Sequence, residues 1–174
     1  MSSIAYDMTR IRAVAFDVDG VLSPSTIPMS NDGIPQRMAN IKDGYALQLA
    51  ARLGLKIVII TGANTPALLT RYSTLGIHDI YLKASHKLPV LEQWMKENGL
   101  EPHEVAYCGD DIPDIPAMKA VGLAVAPRDA AVEVRDLASY ISPFNGGYGV
   151  ARDLIEQILK AKGQWLADAE AFGW

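Results

Sequence analysis

Near its start this 174-residue chain reads Arg12-Ala13-Val14-Ala15-Phe16-Asp17-Val18-Asp19-Gly20, an apolar run that ends in two carboxylates. A run that is apolar on both faces is typical of a strand buried inside a parallel sheet. Similar apolar runs recur along the chain, and the last two of them are short. They are Leu55–Ile60, Asp79–Leu82, Glu104–Cys108, Leu123–Val125 and Ser139–Ile141. We therefore expect a sheet of five strands, with the last run as a candidate sixth.

Helical patterns lie between these runs. We expect Asp43 to cap the first helix and Gly54 to stop it, and Thr65 followed by Pro66 to start the second. The predicted helices cover 43–52, 65–76, 87–98, 115–120, 130–137 and 150–161. This alternation indicates a doubly wound, Rossmann-like α/β fold. We expect one domain over residues 1–174, a parallel sheet with helices on both of its faces.

Two segments depart from the alternation. Residues 23–41 contain three prolines and the turn sequence Asn31-Asp32-Gly33, which predicts a β-hairpin that projects from the first strand. Residues 163–174 carry three aromatic side chains, which is much apolar area for a free end. We therefore expect this C-terminal tail to dock on the protein surface.

Composition excludes several classes of protein. The formal net charge is −4, from 16 basic and 20 acidic residues, which argues against a nucleic-acid partner. The apolar runs are too short to span a membrane, so we expect no membrane association. The chain starts without a basic segment followed by a long apolar stretch, and we expect a cytoplasmic protein. The single cysteine, Cys108, allows neither an internal disulfide nor a multi-cysteine metal site.

Polar groups cluster where the predicted strands end and a helix begins. The carboxyl ends of parallel strands share one edge of a sheet, and ligands of open α/β sheets bind there. Each short motif is weak by itself, because similar motifs also occur in turns and on solvated surfaces. Their occurrence in order at one edge favours a functional site. The residues are Asp17, Asp19, Thr61, Gly62, Lys87, Asp110, Asp111 and Asp114.

The chemistry of these groups points to phosphoryl transfer. Several carboxylates in one cleft repel each other, and a divalent cation relieves that repulsion; all-oxygen ligands favour Mg²⁺. A hydroxyl from Thr61 and the ammonium of Lys87 suit phosphate oxygens. One carboxylate can attack phosphorus, and a second, two residues away, can transfer protons. For Asp111 and Asp114, one is expected to support the metal and the other to cap a helix.

The ordered motifs resemble the haloacid dehalogenase superfamily of phosphohydrolases, whose pattern is Asp-x-Asp-Gly, then Thr or Ser, then Lys, then Gly-Asp-Asp-x-x-Asp. The resemblance implies that Asp17 is the nucleophile and a Mg²⁺ ligand. It implies that Asp19 is the general acid/base and offers its backbone carbonyl to the metal. The remaining implied roles are phosphate binding by Thr61, Gly62 and Lys87, metal ligation by Asp110, and support by Asp111 and Asp114.

The intervals between the motifs are too short for a cap domain. The chain therefore resembles the capless subgroup that contains the 3-deoxy-D-manno-octulosonate 8-phosphate phosphatases. The segments 40–45 and 146–153 are similar to segments of that subgroup. The resemblance implies a phosphorylated sugar-acid substrate from the pathway to lipopolysaccharide. It also implies a homotetramer in which the hairpins pack together and a neighbouring subunit helps to close the site.

Three positions differ from the usual subgroup pattern. Ala63-Asn64 stand where many members have an arginine, Pro24-Ser25 replace an Asp-Gly pair, and Tyr148 replaces a basic residue. The substrate therefore stays open between the octulosonate ester, a nine-carbon sugar-acid 9-phosphate and another small phosphorylated metabolite. A catalytically silent scaffold that binds sugar phosphates is the alternative from another class.

Overall fold

A computed structural model describes residues 4–173 of the chain. Trp174, one of the three aromatic residues of the predicted tail, lies outside this range, as do residues 1–3. Six parallel strands form one sheet in the order β3-β2-β1-β4-β5-β6. They are β1 (Ala13–Phe16), β2 (Lys56–Ile60), β3 (Asp79–Tyr81), β4 (Val105–Cys108), β5 (Leu123–Ala126) and β6 (Tyr140–Ile141).

Within residues 4–173, six α-helices accompany the strands. They are α1 (Ile41–Arg52), α2 (Pro66–Ser73), α3 (Lys87–Glu97), α4 (Ile115–Lys119), α5 (Val132–Leu137) and α6 (Val150–Ala161). Short 3₁₀ turns cover Met8–Arg10, Pro102–Glu104, Ile112–Asp114 and Ala169–Phe172. In the part of the chain that the structure describes, no helix has the length and apolar character needed to cross a membrane.

The sheet reverses its winding direction at β1. This strand pairs with β2 on one side, where Ala13 faces Lys56, and with β4 on the other, where Ala13 faces Val105. Successive strands then run outward from β1 in both directions, which leaves a crevice beyond the carboxyl ends of β1 and β4. The doubly wound parallel fold predicted from the sequence is therefore confirmed, including its sixth strand.

Two apolar cores lie on opposite faces of the sheet, because successive side chains of a strand point in opposite directions. Val14 and Phe16 pack on the face covered by α1, α2 and α6. Ala13 and Ala15 pack on the face covered by α3, α4 and α5, where Trp94 is buried. The predicted helices on both faces are thus confirmed.

The predicted cap of α1 is wrong. The helix is capped by Asn40, whose side-chain oxygen accepts hydrogen bonds from the N–H groups of Lys42 and Asp43, at 2.9 and 3.3 Å. The Asn40 amide also donates to the carbonyl of Gly147 at 3.1 Å, so a tertiary contact favours this residue. Asp43 lies buried in the first turn, where it accepts a hydrogen bond of 2.7 Å from the backbone N–H of Arg152.

The predicted hairpin is present in a reduced form. Met29 and Pro35 form one antiparallel bridge, and the N–H of Gln36 donates to the carbonyl of Pro28 at 2.8 Å. Prolines in both arms remove backbone donors, which explains why no longer ladder forms. Met29 and Ile34 are 70% and 54% exposed, so the hairpin presents apolar area to its surroundings.

The C-terminal tail docks only in part. The guanidinium carbon of Arg152 lies 4.6 Å from the centre of the Trp165 ring and 5.4 Å from the centre of the Tyr45 ring. The Tyr45 hydroxyl donates to the carbonyl of the buried Ala171. The expected docking is therefore present at Trp165 and Ala171. It is wrong for Phe172, which is 76% exposed.

Candidate active site

The predicted polar residues meet at the carboxyl edge of the sheet. Asp17 directly follows β1, Thr61 follows β2 and Asp110 lies two residues beyond β4, while Lys87 is the first residue of α3. Because β1, β2 and β4 are neighbours, their ends place these side chains around the crevice. A cavity of about 300 Å³ opens there, and Asp17, Thr61, Lys87 and Arg37 line it.

Three carboxylates form the centre of the site. Asp17, Asp110 and Asp114 each offer an oxygen, and these three oxygens lie within 4.8 Å of one another. The Lys87 ammonium is 2.8 Å from Asp17 Oδ2 and 2.6 Å from Asp114 Oδ1. Lys87 and Asp17 are both more than nine-tenths buried, and Asp114 is fully buried. One cation therefore faces three carboxylates in a poorly solvated place.

Burial and the close approach of like charges shift the pKa values of the ionisable side chains in this site. Burial raises the pKa of Asp17 to about 6, with the charge of Asp114 adding to the effect and Lys87 opposing it. Burial, together with the charges of Asp17 and Asp114, raises the pKa of Asp110 to about 8. Burial alone would lower the pKa of Lys87, but the two carboxylates beside it raise that pKa.

The donor set fits Mg²⁺. Asp110 Oδ1 is buried and accepts no hydrogen bond from the described residues, so it is free to bind a cation. The oxygens of Asp17 and Asp110 are hard ligands, which Mg²⁺ prefers, and a divalent ion would balance the excess negative charge.

A glycine lets the first motif approach Asp110. Gly20 has φ +83°, and a Cβ at this position would lie 1.8 Å from Asp110 Oδ2. The segment 146–153, called the glycine-rich segment below, packs on the same loop. A Cβ on Gly146 would lie 1.9 Å from the carbonyl oxygen of Gly20. Both positions therefore leave no room for a larger residue. The sequence predicted the motif around Gly20 but not its contact with Gly146.

Asp19 lies outside the carboxylate cluster, and its partner was missed from the sequence. Its side chain is 41% exposed and forms a two-pronged ion pair with Arg37. Arg37 Nε donates to Asp19 Oδ1 and Nη2 donates to Oδ2, both at 2.7 Å. Arg37 lies in the returning arm of the hairpin that projects from β1. The one sequence feature that could have indicated this pairing is the presence of a basic residue in that arm.

The structure separates Asp111 from Asp114. Asp114 accepts hydrogen bonds from Lys87 and from the Tyr107 hydroxyl, and its other oxygen accepts from the N–H of Asp110 at 3.0 Å. Asp111 is exposed and caps the 3₁₀ turn Ile112–Asp114. Asp114 is therefore the member of this pair that contacts the cluster, and Asp111 is the capping residue.

The raised pKa values predict that metal-free protein loses stability as pH rises. Folding raises the pKa of Asp17 and Asp110 above 3.8, so the folded state binds more protons than the unfolded state. The stability that is fully present below about pH 3.8 is then lost as pH rises, and the loss is complete above about 6 for Asp17 and above about 8 for Asp110. We expect Tm to fall over this range without metal, and Mg²⁺ to raise Tm more at about pH 8 than at about pH 5.

The variant Asp110→Asn isolates the contribution of Asp110 in a thermal melt. Burial also raises the pKa of Asp43 to about 6, so that residue adds to the slope in both proteins. Subtracting the Tm of Asp110→Asn from that of wild type at each pH removes the contribution of Asp43, which both proteins share. Identical pH profiles for the two proteins between about pH 4 and 8, the interval between the unfolded and folded pKa values of Asp110, would contradict the electrostatic account of the site.

Comparison with known families agrees with this arrangement. The family model for haloacid dehalogenase-like hydrolases matches residues 61–154. The 3-deoxy-D-manno-octulosonate 8-phosphate phosphatase KdsC of Escherichia coli (strain K12) is 37% identical over 154 residues, which are 88% of this chain and 82% of that protein. KdsC of Yersinia pestis is 37% identical over 152 residues, 87% of this chain and 81% of the relative.

Solved structures extend the similarity to the fold. The crystal structure of 3-deoxy-D-manno-octulosonate 8-phosphate phosphatase from Yersinia pestis matches with a TM-score of 0.87 and 35% identity, over 91% of this chain and 85% of that one. The enzyme from Moraxella catarrhalis, in complex with magnesium ion, phosphate ion and a KDO molecule, matches with a TM-score of 0.85 and 33% identity, over 89% of each chain. The chain therefore belongs to the haloacid dehalogenase-like hydrolase family.

Proposed function

We propose that this protein is a Mg²⁺-dependent phosphohydrolase that removes phosphate from 3-deoxy-D-manno-octulosonate 8-phosphate. The observation that carries the proposal is the group of the buried Asp17 and Asp114 and the half-buried Asp110 at the sheet edge, with Lys87 paired to the two buried carboxylates. The 37% identity to KdsC proteins supports this substrate. The reaction then belongs to the synthesis of the lipopolysaccharide sugar, and we propose the cytoplasm as its place.

The first half of the reaction phosphorylates the protein. The Lys87 ammonium, the Thr61 hydroxyl and the loop at Gly62 hold the phosphate oxygens in the cavity. A carboxylate oxygen of Asp17 attacks phosphorus, and the bond between phosphorus and the sugar oxygen breaks. Asp19 gives its proton to that departing oxygen, so the sugar acid leaves as an alcohol. Asp17 is left as an aspartyl-phosphate.

The second half returns the protein to its starting state. Asp19, now a carboxylate, takes a proton from a water molecule, whose oxygen attacks phosphorus. The bond between phosphorus and Asp17 breaks, inorganic phosphate leaves, and Asp17 is again a carboxylate. Asp19 keeps the proton that the next substrate needs.

Other residues would bind the metal ion or orient the groups that contact the phosphate. Asp17, Asp110 and the backbone carbonyl of Asp19 would hold Mg²⁺. When bound, Mg²⁺ supplies positive charge that offsets the charge of the phosphate and of the carboxylates. Asp114 orients Lys87 and the backbone N–H of Asp110 through its two oxygens. Asp111 supports this loop by capping the turn that carries Asp114.

We also propose a homotetramer. Apolar side chains in and next to the hairpin are unusually exposed, and burial against a second copy would remove them from water. They are Met29, Ile34 and Met38. The hairpin residue Arg37 lines the cavity over Asp17, so a neighbouring subunit that packs on the hairpin would lie close to the site. Light scattering that finds a stable monomer at micromolar concentration would overturn this assembly.

Hydrolysis of p-nitrophenyl phosphate separates an enzyme from a silent scaffold. We expect Mg²⁺-dependent release of nitrophenol that stops when a chelator removes the metal and returns when Mg²⁺ is restored. The matched variant Lys119→Met changes an exposed lysine in α4 and should leave the rate unchanged. Binding of a sugar-acid phosphate without any release of phosphate, in the presence of Mg²⁺, would favour the scaffold.

A further inference from the structure

The guanidinium of Arg37 connects the hairpin to the catalytic edge. Although Arg37 comes from an exposed segment, its side chain is only 10% exposed. Two of its nitrogens donate to the two oxygens of Asp19, and the third, Nη1, donates to Thr65 Oγ1 at 2.8 Å. All three nitrogens of the planar group therefore have partners.

Thr65 reinforces this arrangement. Thr65 is the N-cap of α2, but its side chain makes no capping hydrogen bond to the helix. Its hydroxyl oxygen accepts from Arg37 instead. The start of α2 thus anchors the guanidinium, and the guanidinium in turn fixes the plane of the Asp19 carboxylate.

Asp19 depends on Arg37 for its orientation. Among residues 4–173, Arg37 supplies every hydrogen bond that the Asp19 side chain receives. Without this contact, no side-chain hydrogen bond from the described residues would hold this carboxylate, which is 41% exposed, in one rotamer. Each carboxylate oxygen carries two lone pairs, and Arg37 uses one on each. Room remains for the proton and the leaving-group oxygen.

We propose that Arg37 is a positioning residue, which directs the Asp19 carboxyl group toward the leaving-group oxygen. This role rests on the proposed function. In the step concerned, the bond between phosphorus and the ester oxygen breaks, and the proton of Asp19 moves to that oxygen. Ala63 lines the same cavity, and Arg37 is the one arginine among the described residues that line it.

The alternative is that Arg37 binds the carboxylate of the sugar acid directly. The geometry favours positioning, because Asp19 and Thr65 already occupy the guanidinium on both sides. The two roles differ in what they require of the substrate. Positioning matters for any ester whose leaving oxygen needs a proton, whereas carboxylate binding matters only for a substrate that carries a carboxylate.

Three esters distinguish these roles in the variant Arg37→Gln. They are octulosonate 8-phosphate, glucose 6-phosphate, which lacks a carboxylate, and p-nitrophenyl phosphate, whose leaving group departs without a proton. The ratio kcat/KM reports the steps up to cleavage of the ester bond. We expect it to fall about 10²-fold for both sugar esters and less than about 3-fold for the aryl ester.

Further variants keep the test independent of folding. Arg37→Lys should recover part of the loss, and Thr65→Ala should show a smaller loss with the same selectivity. Asp19→Ala should show the same pattern more strongly. Arg135→Gln removes an exposed arginine from α5 and should leave all three ratios unchanged. If Arg37→Gln does not fold, the kcat/KM values of Arg37→Lys and Thr65→Ala on the three esters replace it in the test.

Two results would overturn the positioning role while leaving the proposed function intact. An equal loss on all three esters would assign Arg37 to phosphate binding or to the fold. A loss confined to the octulosonate ester would assign it to the substrate carboxylate. A wild-type protein that releases phosphate from none of the esters in the presence of Mg²⁺ would overturn the proposed function, and the positioning role with it.

Discussion

Replacing Asp17 by asparagine is expected to abolish turnover and, at the same time, to stabilise the metal-free protein. The amide cannot attack phosphorus, so kcat should fall by at least about 10⁴-fold. The same change removes a buried carboxylate whose pKa burial has raised to about 6. Tm should therefore rise at about pH 8, where Asp17 is ionised, and change less at about pH 5.

Loss of turnover together with a gain in Tm distinguishes a nucleophile from a residue that only supports the fold. Phosphate release and thermal melts of the same Asp17→Asn preparation measure both. Loss of activity together with loss of stability would indicate that the substitution merely disrupts the fold. Activity within about tenfold of wild type would contradict the assignment of Asp17 as nucleophile.

Replacing Lys87 by methionine should reduce both activity and stability. The substitution leaves Asp17 and Asp114 buried without the cation that lies 2.8 and 2.6 Å from them. Removing one partner of a buried ion pair costs about 3–5 kcal/mol. We expect a loss of this size in urea unfolding near pH 7, together with loss of phosphate binding.

A double-mutant cycle tests the electrostatic origin of the Lys87 effect. Asp17→Asn should stabilise the Lys87→Met protein more than it stabilises wild type, because Asp17 has lost its cation in that variant. Lys119→Met, on an exposed face of α4, is the matched control and should stay within about 0.5 kcal/mol of wild type. Strict additivity of the two substitutions would contradict direct coupling between Asp17 and Lys87.

The fold could be predicted because its signals are local and repeated. Each central strand is an apolar run whose members point alternately to two cores, as Val14 and Ala15 do. The order of polar groups along the chain then placed Asp17, Thr61 and Lys87 at one edge, since parallel strands end together. Even the hairpin was marked by Asn31-Asp32-Gly33 between two proline-containing arms.

The features that were missed depend on contacts distant in sequence. Arg37 and Asp19 are 18 residues apart, in a segment with no period that fixes which way a side chain points. The choice of Asn40 over Asp43 as helix cap follows from a hydrogen bond to Gly147, which the local sequence does not contain. Likewise, Asp114 and not Asp111 joins the cluster because Lys87 and Tyr107 meet it there.

The identity of the substrate follows least directly from the residues. Ala63 lines the cavity where an arginine is common, and Tyr148 is 58% exposed on the glycine-rich segment that packs on Gly20. Both positions differ from the usual subgroup pattern, and neither belongs to the carboxylate cluster. A nine-carbon sugar-acid 9-phosphate is therefore the competing substrate, with the same chemistry at phosphorus.

Phosphate release from a panel of sugar esters tests whether the protein is a Mg²⁺-dependent phosphatase of octulosonate 8-phosphate. The panel contains octulosonate 8-phosphate, a nine-carbon sugar-acid 9-phosphate and simple hexose phosphates, each measured with Mg²⁺ and with a chelator. We expect Mg²⁺-dependent release with kcat/KM at least about 10²-fold higher for octulosonate 8-phosphate than for the hexose esters. A higher kcat/KM for the nine-carbon ester, or no Mg²⁺-dependent release from any sugar-acid ester, would contradict this expectation.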